Sequence, residues 1–421
     1  MIKTQRAIRY YALTHSLHAS LLSAFEMAFM LRLFGALAPV LKLYAVFYTS
    51  LYLCFALGMA LLRTGRATIG FRLDLIAQLL TAAWTFCLFP SLGSVPVLAV
   101  YFTLRGMGEG FYWSARHCSV LDGIADAERD AFFLRLHAMQ VGMQVALPLV
   151  GGALLSLPAV FGGLQRPGGA LPPGFAYLYL AAGLASALAL AASPTLGINP
   201  QTFRAGAILR AARAKSTRIW ISYQGFTALH GLAAALCAAI LNVGILKTEF
   251  RLGAFASGAA LAAAVAYWLL GKSLRGRTAS RMAFTLVGSL GDWASRLLYA
   301  LFYSYPTLIA KAVLDAFMSP LKAIFGENIV RMKVESERSA LGLSSAEGYF
   351  FQESVIYLGR MVLLVAALAA TGGLTAGGDS RPPVELAKAA LPFFAFAVLG
   401  DYAFIRAISR SLDRERYGRT R

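Results

Sequence analysis

Apolar residues in this chain come in blocks of about 20, separated by short polar connections. The blocks fall near 10–34, 38–61, 69–90, 95–115, 132–157, 174–194, 219–242, 252–270, 282–303, 306–325, 346–371 and 388–408. About 20 apolar residues are what a helix needs to cross a bilayer. A transmembrane barrel would alternate in segments of about ten residues instead. The pattern predicts an all-α polytopic membrane protein with twelve transmembrane helices. The longest basic connection, 195–218, follows the sixth block, so two six-helix bundles are expected, 1–194 and 219–421, joined by a linker. Within the linker, 203–215 reads either as a short basic amphipathic helix on the inner leaflet or as a solvated connection.

Composition supports this class. Of 421 residues, 58% are hydrophobic and 14% charged, with a mean hydropathy of +0.63, whereas soluble domains carry about 25% charged residues. The net charge of +19 is not a nucleic-acid footprint, because the basic residues are spread over many short loops. Their distribution sets orientation. The two termini and every second connection hold 26 of the 39 Lys and Arg, the opposite loops hold six, and seven lie within blocks. Both termini are therefore expected in the cytoplasm, which requires an even number of spans. The start of the chain is basic but lacks the compact apolar core and cleavage site of a signal peptide. Cys54, Cys87, Cys118 and Cys237 lie far apart and suggest neither a disulfide framework nor a metal site. No cofactor is expected.

Charges inside the blocks are the candidates for chemistry, since a charge at mid-bilayer costs roughly 2.5–3.5 kcal/mol on insertion scales. Arg105 and Glu109 share a face of the fourth block with Trp113 and His117. They pair with each other or reach to Glu26 in the first block; Glu26 pairs with Arg32 otherwise. Lys311 and Asp315 repeat the basic-then-acidic i,i+4 pattern in the tenth block, and Glu128-Arg129 and Glu337-Arg338 close matching loops of the two halves. Glu353 and Arg360 lie two turns apart on the eleventh block. His230 is mid-block in the seventh, as cavity group or hydrogen-bonded core. Gln140 and Gln144, with His137, share a face of the fifth, and Tyr223, Gln224 and Asn242 are similar in the seventh. Asp292 and Arg296 read as a structural pair. Asp122, Arg129, Glu335 and Arg338 lie in basic connections, as gate ion pairs between halves or solvated charge.

Three short motifs carry a family resemblance. Residues 58–66, GMALLRTGR, resemble the G-x-x-x-D-R-x-G-R signature of the major facilitator superfamily, with Gly58, Arg63, Gly65 and Arg66 in place and Leu62 at the aspartate position. Arg105 followed by Gly108 and Gly110 resembles the fourth span of proton-coupled members. Pro148, Gly151 and Gly152 keep the P-x-x-G-G of the antiporter branch, with Leu147 where that motif has glycine. The stretch FYWSARHCSVLDGIADAERDAFF also resembles a bacterial branch. The resemblance makes Glu26 and Arg105 cavity groups, and with the other polar residues of the blocks the expected substrate and proton site is Glu26, Arg105, Glu109, Trp113, Gln140, Gln144, His230, Lys311, Asp315, Glu353 and Arg360. The resemblance implies a conformational gate formed by Gly58, Arg63, Gly65, Arg66, Pro148, Gly151, Gly152, Arg129 and Arg338.

The function expected is secondary active transport by alternating access in a bacterial inner membrane. Proton antiport and efflux of a small, amphipathic molecule by a monomer are expected. No G-x-x-x-x-G-K-[ST] is present for ATP. The alternatives are a lipid or lysolipid flippase on the same fold, and an integral-membrane transferase acting on lipid, with His117 and Asp122 at the membrane edge. An enzyme is not expected.

Overall fold

The computed structural model describes residues 2–88, 91, 94–124, 126–156, 174–273, 281–322, 326, 328–372 and 382–418. Fourteen helices run through them: α1 Ile2–Phe34, α2 Leu37–Leu61, α3 Ala67–Cys87, α4 Val95–Gly123, α5 Asp126–Ser156, α6 Gly174–Ala191, α7 Ala205–Arg213, α8 Arg218–Leu246, α9 Glu249–Ser273, α10 Arg281–Leu301, α11 Tyr305–Lys322, α12 Asn328–Ala340, α13 Ser345–Ala370 and α14 Pro383–Gly418. Twelve are long enough to span a bilayer; α7 and α12 are not. Each half contributes six spanning helices, α1–α6 and α8–α11 with α13 and α14.

Local chemistry sets several helix ends. Gly35, at φ +62, breaks the chain between α1 and α2, a conformation that costs little only for glycine. Pro96 sits in the first turn of α4, where its missing N–H is no loss. Ser344 caps α13 in a reciprocal capping box with Glu347.

Within the first half, α4 packs along α2 and α3, and α3 along α6. The second half repeats this, α10 packing along α11 and α14, and α8 along α13 and α14. Two long contacts join the halves, α5 against α9 and α2 against α13. Gly152 and Gly253 allow the first: a Cβ on Gly253 would sit 2.2 Å from the Pro148 carbonyl oxygen, and one on Gly152 3.0 Å from that of Glu249. Small residues permit such close helix crossings.

The apolar core is asymmetric along the membrane normal. At the end away from the basic loops, one cluster runs through both halves, from Leu21, Phe25 and Phe29 to Leu241, Leu252 and Leu391. At the basic end the cores are separate. One is built on the first half, joined by Ala346 of α13. The other unites α7 with α8, α12, α13 and α14. Between them lies a cavity of about 380 Å³.

Three expectations change. The first span begins at Ile2, because residues 2–9 continue the helix, with Ala7 and Ile8 buried. Segment 203–215 does contain an amphipathic helix, α7, but Ala207 and Ala211 are buried against the second half rather than in an inner leaflet. Residues 326–345, read as a loop, contain α12, whose Lys333 and Glu337 pair at 2.7 Å, almost fully buried.

Candidate functional site

Two polar groups lie inside the first half. Arg105 of α4 is ion-paired with Glu26 of α1, both nearly buried. The Arg105 guanidinium also lies over the Phe47 ring at 5.7 Å. One turn further along α4, Glu109 accepts from the Trp113 indole N–H at 2.9 Å and faces His15 Nε2 at 3.4 Å. The other imidazole nitrogen, Nδ1, lies 3.1 Å from Asp74 of α3. Gln78 donates to the second Asp74 oxygen at 2.8 Å, and Tyr112 stacks on the imidazole. His15, His18, Asp74, Arg105 and Glu109 border one small void. Gly108 makes room for the cluster, since a Cβ there would lie 3.1 Å from Asp74 Oδ1.

The structure thus places Arg105 on Glu26, so the Arg105–Glu109 pair along α4 does not form. Arg32 pairs across the halves with Glu249 at 2.5 Å, not with Glu26. Sequence reasoning missed His15, His18, Asp74 and Gln78. The available signal was spacing: His15 and His18 at i,i+3, and Asp74 and Gln78 at i,i+4, each put two polar groups on one helix face.

Trp113 connects this cluster to the basic-end cavity. Arg116 lies over its ring at 4.8 Å, and His117 packs tilted against it at 5.4 Å. His117 in turn stacks on Tyr349 of α13, with ring centroids 4.3 Å apart. The cavity wall continues through Tyr223 and Gln224 of α8, Arg338 of α12 and Gln352 of α13.

His230 lies elsewhere. Its Nε2 contacts Asp401 of α14 at 2.8 Å, and Thr227 donates to the same carboxylate at 2.8 Å. Lys322 joins Asp401, at 2.7 Å, to Asp292, at 3.4 Å. Arg296 holds Asp292 through two N–H groups, at 2.6 and 3.0 Å. His230 therefore belongs to a buried network between α8, α10, α11 and α14, not to the basic-end cavity. Lys311 and Asp315 do pair, with Ser295 donating to Asp315. They border a separate cavity of about 230 Å³ with Asn242 and Phe255. Glu353 and Arg360 form no ion pair, and Arg360 lies over Tyr48 at 4.8 Å. Gln140 donates to Ser16 of α1 at 2.6 Å. Gln144 and His137 are exposed, and the His137 ring meets Tyr267 of α9 edge-on.

The gate residues also have definite places. Gly58 lies where α2 crosses α4, and a Cβ would fall 2.0 Å from Ser114 Oγ. Leu62, at the aspartate position of the motif, is buried in the first-half core. Gly65, at φ +71, accepts from the Ile198 N–H at 2.9 Å, which docks the inter-half connection on the α2–α3 turn. Arg63 donates to the Phe203 carbonyl at 2.9 Å, while Arg66 is exposed. Gly151 packs against Phe25. The side chains of Glu128 and Arg129 lie outside the described residues. The expected inter-half ion pairs of Asp122, Glu335 and Arg338 are not present among the described residues. Asp122 accepts from Gln201 at 2.6 Å, and Arg338 donates to Ser345 at 3.2 Å. A different pair ties the connection to α13: Arg204 bonds the fully buried Glu347 carboxylate through its backbone N–H, Nε and Nη2.

No family model and no curated relative matches this chain. Solved structures do. The E. coli fucose:proton symporter matches at a TM-score of 0.60 and 16% identity, over 97% of this chain and 98% of that one. A bacterial homologue of the iron transporter ferroportin, in an inward-facing state, matches at 0.66 and 14%, over 97% and 99%. A human organic anion transporter matches at 0.64 and 13%, over 96% and 99%. The chain has the major facilitator superfamily fold. At these identities the likeness fixes this architecture and leaves the cargo open: fucose with protons, iron and organic anions are named for three chains of one shape. The two inter-half contacts mirror each other: α5–α9 sets the fifth span of the first half against the second span of the other, and α2–α13 sets the second against the fifth.

Proposed function

We propose that this major facilitator protein is a proton-coupled secondary transporter that moves a small molecule across a bacterial inner membrane by alternating access. Both termini face the cytoplasm, and the Pro148, Gly151 and Gly152 element favours export. The observation that carries the reading is the charge count of the first-half cluster. The cluster holds three carboxylates, Glu26, Asp74 and Glu109, and one guanidinium, that of Arg105, which pairs with Glu26, while His15 lies between Asp74 and Glu109. Unpaired buried carboxylates are costly, so protons balance the cluster, and the number held changes when the cavity changes access. Like charges sharing a site titrate as a group.

The cavity at the basic end supports the same reading. It lies between halves whose largest shared core is at the opposite end, with Ala346, Tyr349 and Phe350 of α13 as the part of the second half that joins the first-half core here; we read this as a carrier open to the cytoplasm. Trp113 touches both the cavity residue Arg116 and the proton cluster through Glu109. Cargo that moves Trp113 therefore changes the hydrogen bonding of Glu109. In this account Glu26, Arg105, Glu109 and Trp113 couple substrate to protons, together with His15 and Asp74. His230 holds Asp401 within the second half, Lys311 pairs with Asp315 beside a separate cavity, and Arg360 faces Tyr48 of α2. Gly58, Gly65, Gly152 and Gly253 let the halves rock.

The test is proton flux in liposomes carrying the purified chain and an internal pH dye, challenged with sugars, amino acids, organic anions, lipophilic cations and lysolipids. A pH change triggered by one class, and lost in Glu109→Gln, is expected. Labelled lysolipid crossing leaflets without any pH change would replace transport with lipid flipping.

A further inference from the structure

The basic-end cavity contains a cation that no anion among the described residues answers. Arg116 forms no ion pair among the described residues, and its buried Nε has no hydrogen-bond partner. Its guanidinium lies between two rings, 4.8 Å from the Trp113 centroid and 5.8 Å from that of Phe133. Those rings hold the guanidinium plane in place without supplying negative charge. Across the cavity, Arg338 adds a second guanidinium, and Glu335 is the one acidic side chain in the described lining. Beside Arg116, His117 and Tyr349 stack within 13° of parallel and form a flat wall.

We propose that this cavity binds a small organic anion with a planar apolar portion, and that Arg116 is its anchor. The inference rests on the transporter reading and adds the substrate class to it. A carboxylate, sulfonate or phosphate is the group that a planar guanidinium fork binds through two parallel hydrogen bonds. Bound there, it answers a charge otherwise left half-buried and unpaired. The flat portion lies along the His117–Tyr349 wall, where ring stacking adds to apolar burial. Gln224 and Gln352 supply neutral donors and acceptors at the far side. A volume of about 380 Å³ lies toward the small end of ligand sites, which run from about 300 to 1,000 Å³. It suits a one- or two-ring anion better than a lipid with an acyl chain. An organic cation would bring like charge to Arg116 and Arg338 with a single carboxylate in return.

The experiment is equilibrium dialysis of the purified full-length chain against three radiolabelled probes: naphthalene-2-sulfonate, the isosteric 2-naphthyltrimethylammonium cation, and lysophosphatidylglycerol. Saturable binding of the sulfonate is expected, with the cation at least about tenfold weaker, the loss of one charge-assisted contact. Arg116→Gln should weaken the sulfonate about tenfold or more, and Arg116→Lys less. Tyr349→Leu should weaken it by a smaller factor. The comparison of probes on the unaltered chain decides the charge preference even if a variant fails to fold. Equal or tighter binding of the cation, or binding of lysophosphatidylglycerol alone, overturns the proposal. So does sulfonate affinity unchanged in folded Arg116→Gln. Sulfonate that binds but never crosses a liposome membrane would keep the site and sink the transporter reading. Passage of the cation with no sulfonate binding would do the reverse.

Discussion

Each half of the protein buries a histidine beside an aspartate, and the two halves balance the charge differently. In the second half His230 touches Asp401, and the two carboxylates of that network, Asp292 and Asp401, meet two fixed cations, Arg296 and Lys322. That network is neutral with its histidine uncharged. In the first half His15 lies between Asp74 and Glu109, Glu26 is nearby on the same helix, and Arg105 is the one fixed cation. In the proposed account that cluster is completed by protons. The position matters as much as the count. The first-half cluster reaches the basic-end cavity through Trp113, whose ring packs on the cavity residue Arg116, whereas the second-half network, spread over α8, α10, α11 and α14, meets that cavity only through the neutral Thr227 hydroxyl, which already donates to Asp401. On the proposed reading, one fold uses the same residue types for two purposes: a fixed charge lattice that holds helices in register, and a group whose charge is completed from solvent.

The strongest way to break this contrast is to open the second-half network. Asp401→Ala leaves Lys322 and His230 facing a buried vacancy, and removing one partner of a buried pair costs roughly 3–5 kcal/mol. A large fall in detergent melting temperature and in expression is expected. A stable, well-expressed variant would show that the network is not structural. Glu109→Gln should do the opposite. The amide still accepts from Trp113, so melting temperature holds while gradient-driven transport falls to background and substrate exchange persists. Unaltered driven transport would remove Glu109 from the coupling. Next comes the contact between halves. In Gly253→Val the added side chain meets the Pro148 carbonyl, so the α5–α9 crossing must open. A folded protein that does not transport is expected, as judged by size-exclusion profile and uptake together. Leu62→Asp would place the aspartate of the G-x-x-x-D-R-x-G-R motif in a site that is here apolar and buried. An unsatisfied buried polar group costs about 1–3 kcal/mol, so a modest drop in melting temperature is expected. Arg63→Ala has the smallest effect. Arg63 is exposed and holds one carbonyl of the connection, and no measurable change in melting temperature is expected.

Block length and spacing were enough to read twelve spans, and the reason is visible in the helices. Eight described helices are long and apolar enough to cross a membrane by composition alone. The other four spanning helices, α3, α4, α10 and α11, carry Asp74, Arg105, Glu109, Asp292, Arg296, Lys311 and Asp315. They occupy the third and fourth places of each half, so the dip in hydropathy marks the buried charge. Arg105 and Glu109 were legible for that reason, and Glu26 as the one acidic residue of α1, within its apolar stretch. Their partners were not, because periodicity along one helix says nothing about which neighbour meets its face. Arg105 therefore reads equally well toward Glu109 and Glu26. His15 and Asp74 lie near the basic ends of the first and third blocks, and nothing in the spacing along either helix shows that they meet. Asp401 lies in an apolar block with no charged residue at helical spacing before Arg406, and its partners come from α8 and α11. α12 was missed because a short, highly charged amphipathic helix reads as a solvated connection until the second-half core that buries it is known.

The central claim is that protons complete the first-half cluster and not the second. Infrared difference spectra of the purified protein, recorded across a pH titration, test it without any substrate. A protonated-carboxyl band that titrates in the unaltered chain is expected to be lost or shifted in Asp74→Asn or Glu109→Gln and to persist in Asp292→Asn. A band lost in Asp292→Asn and untouched by either first-half variant would contradict the account.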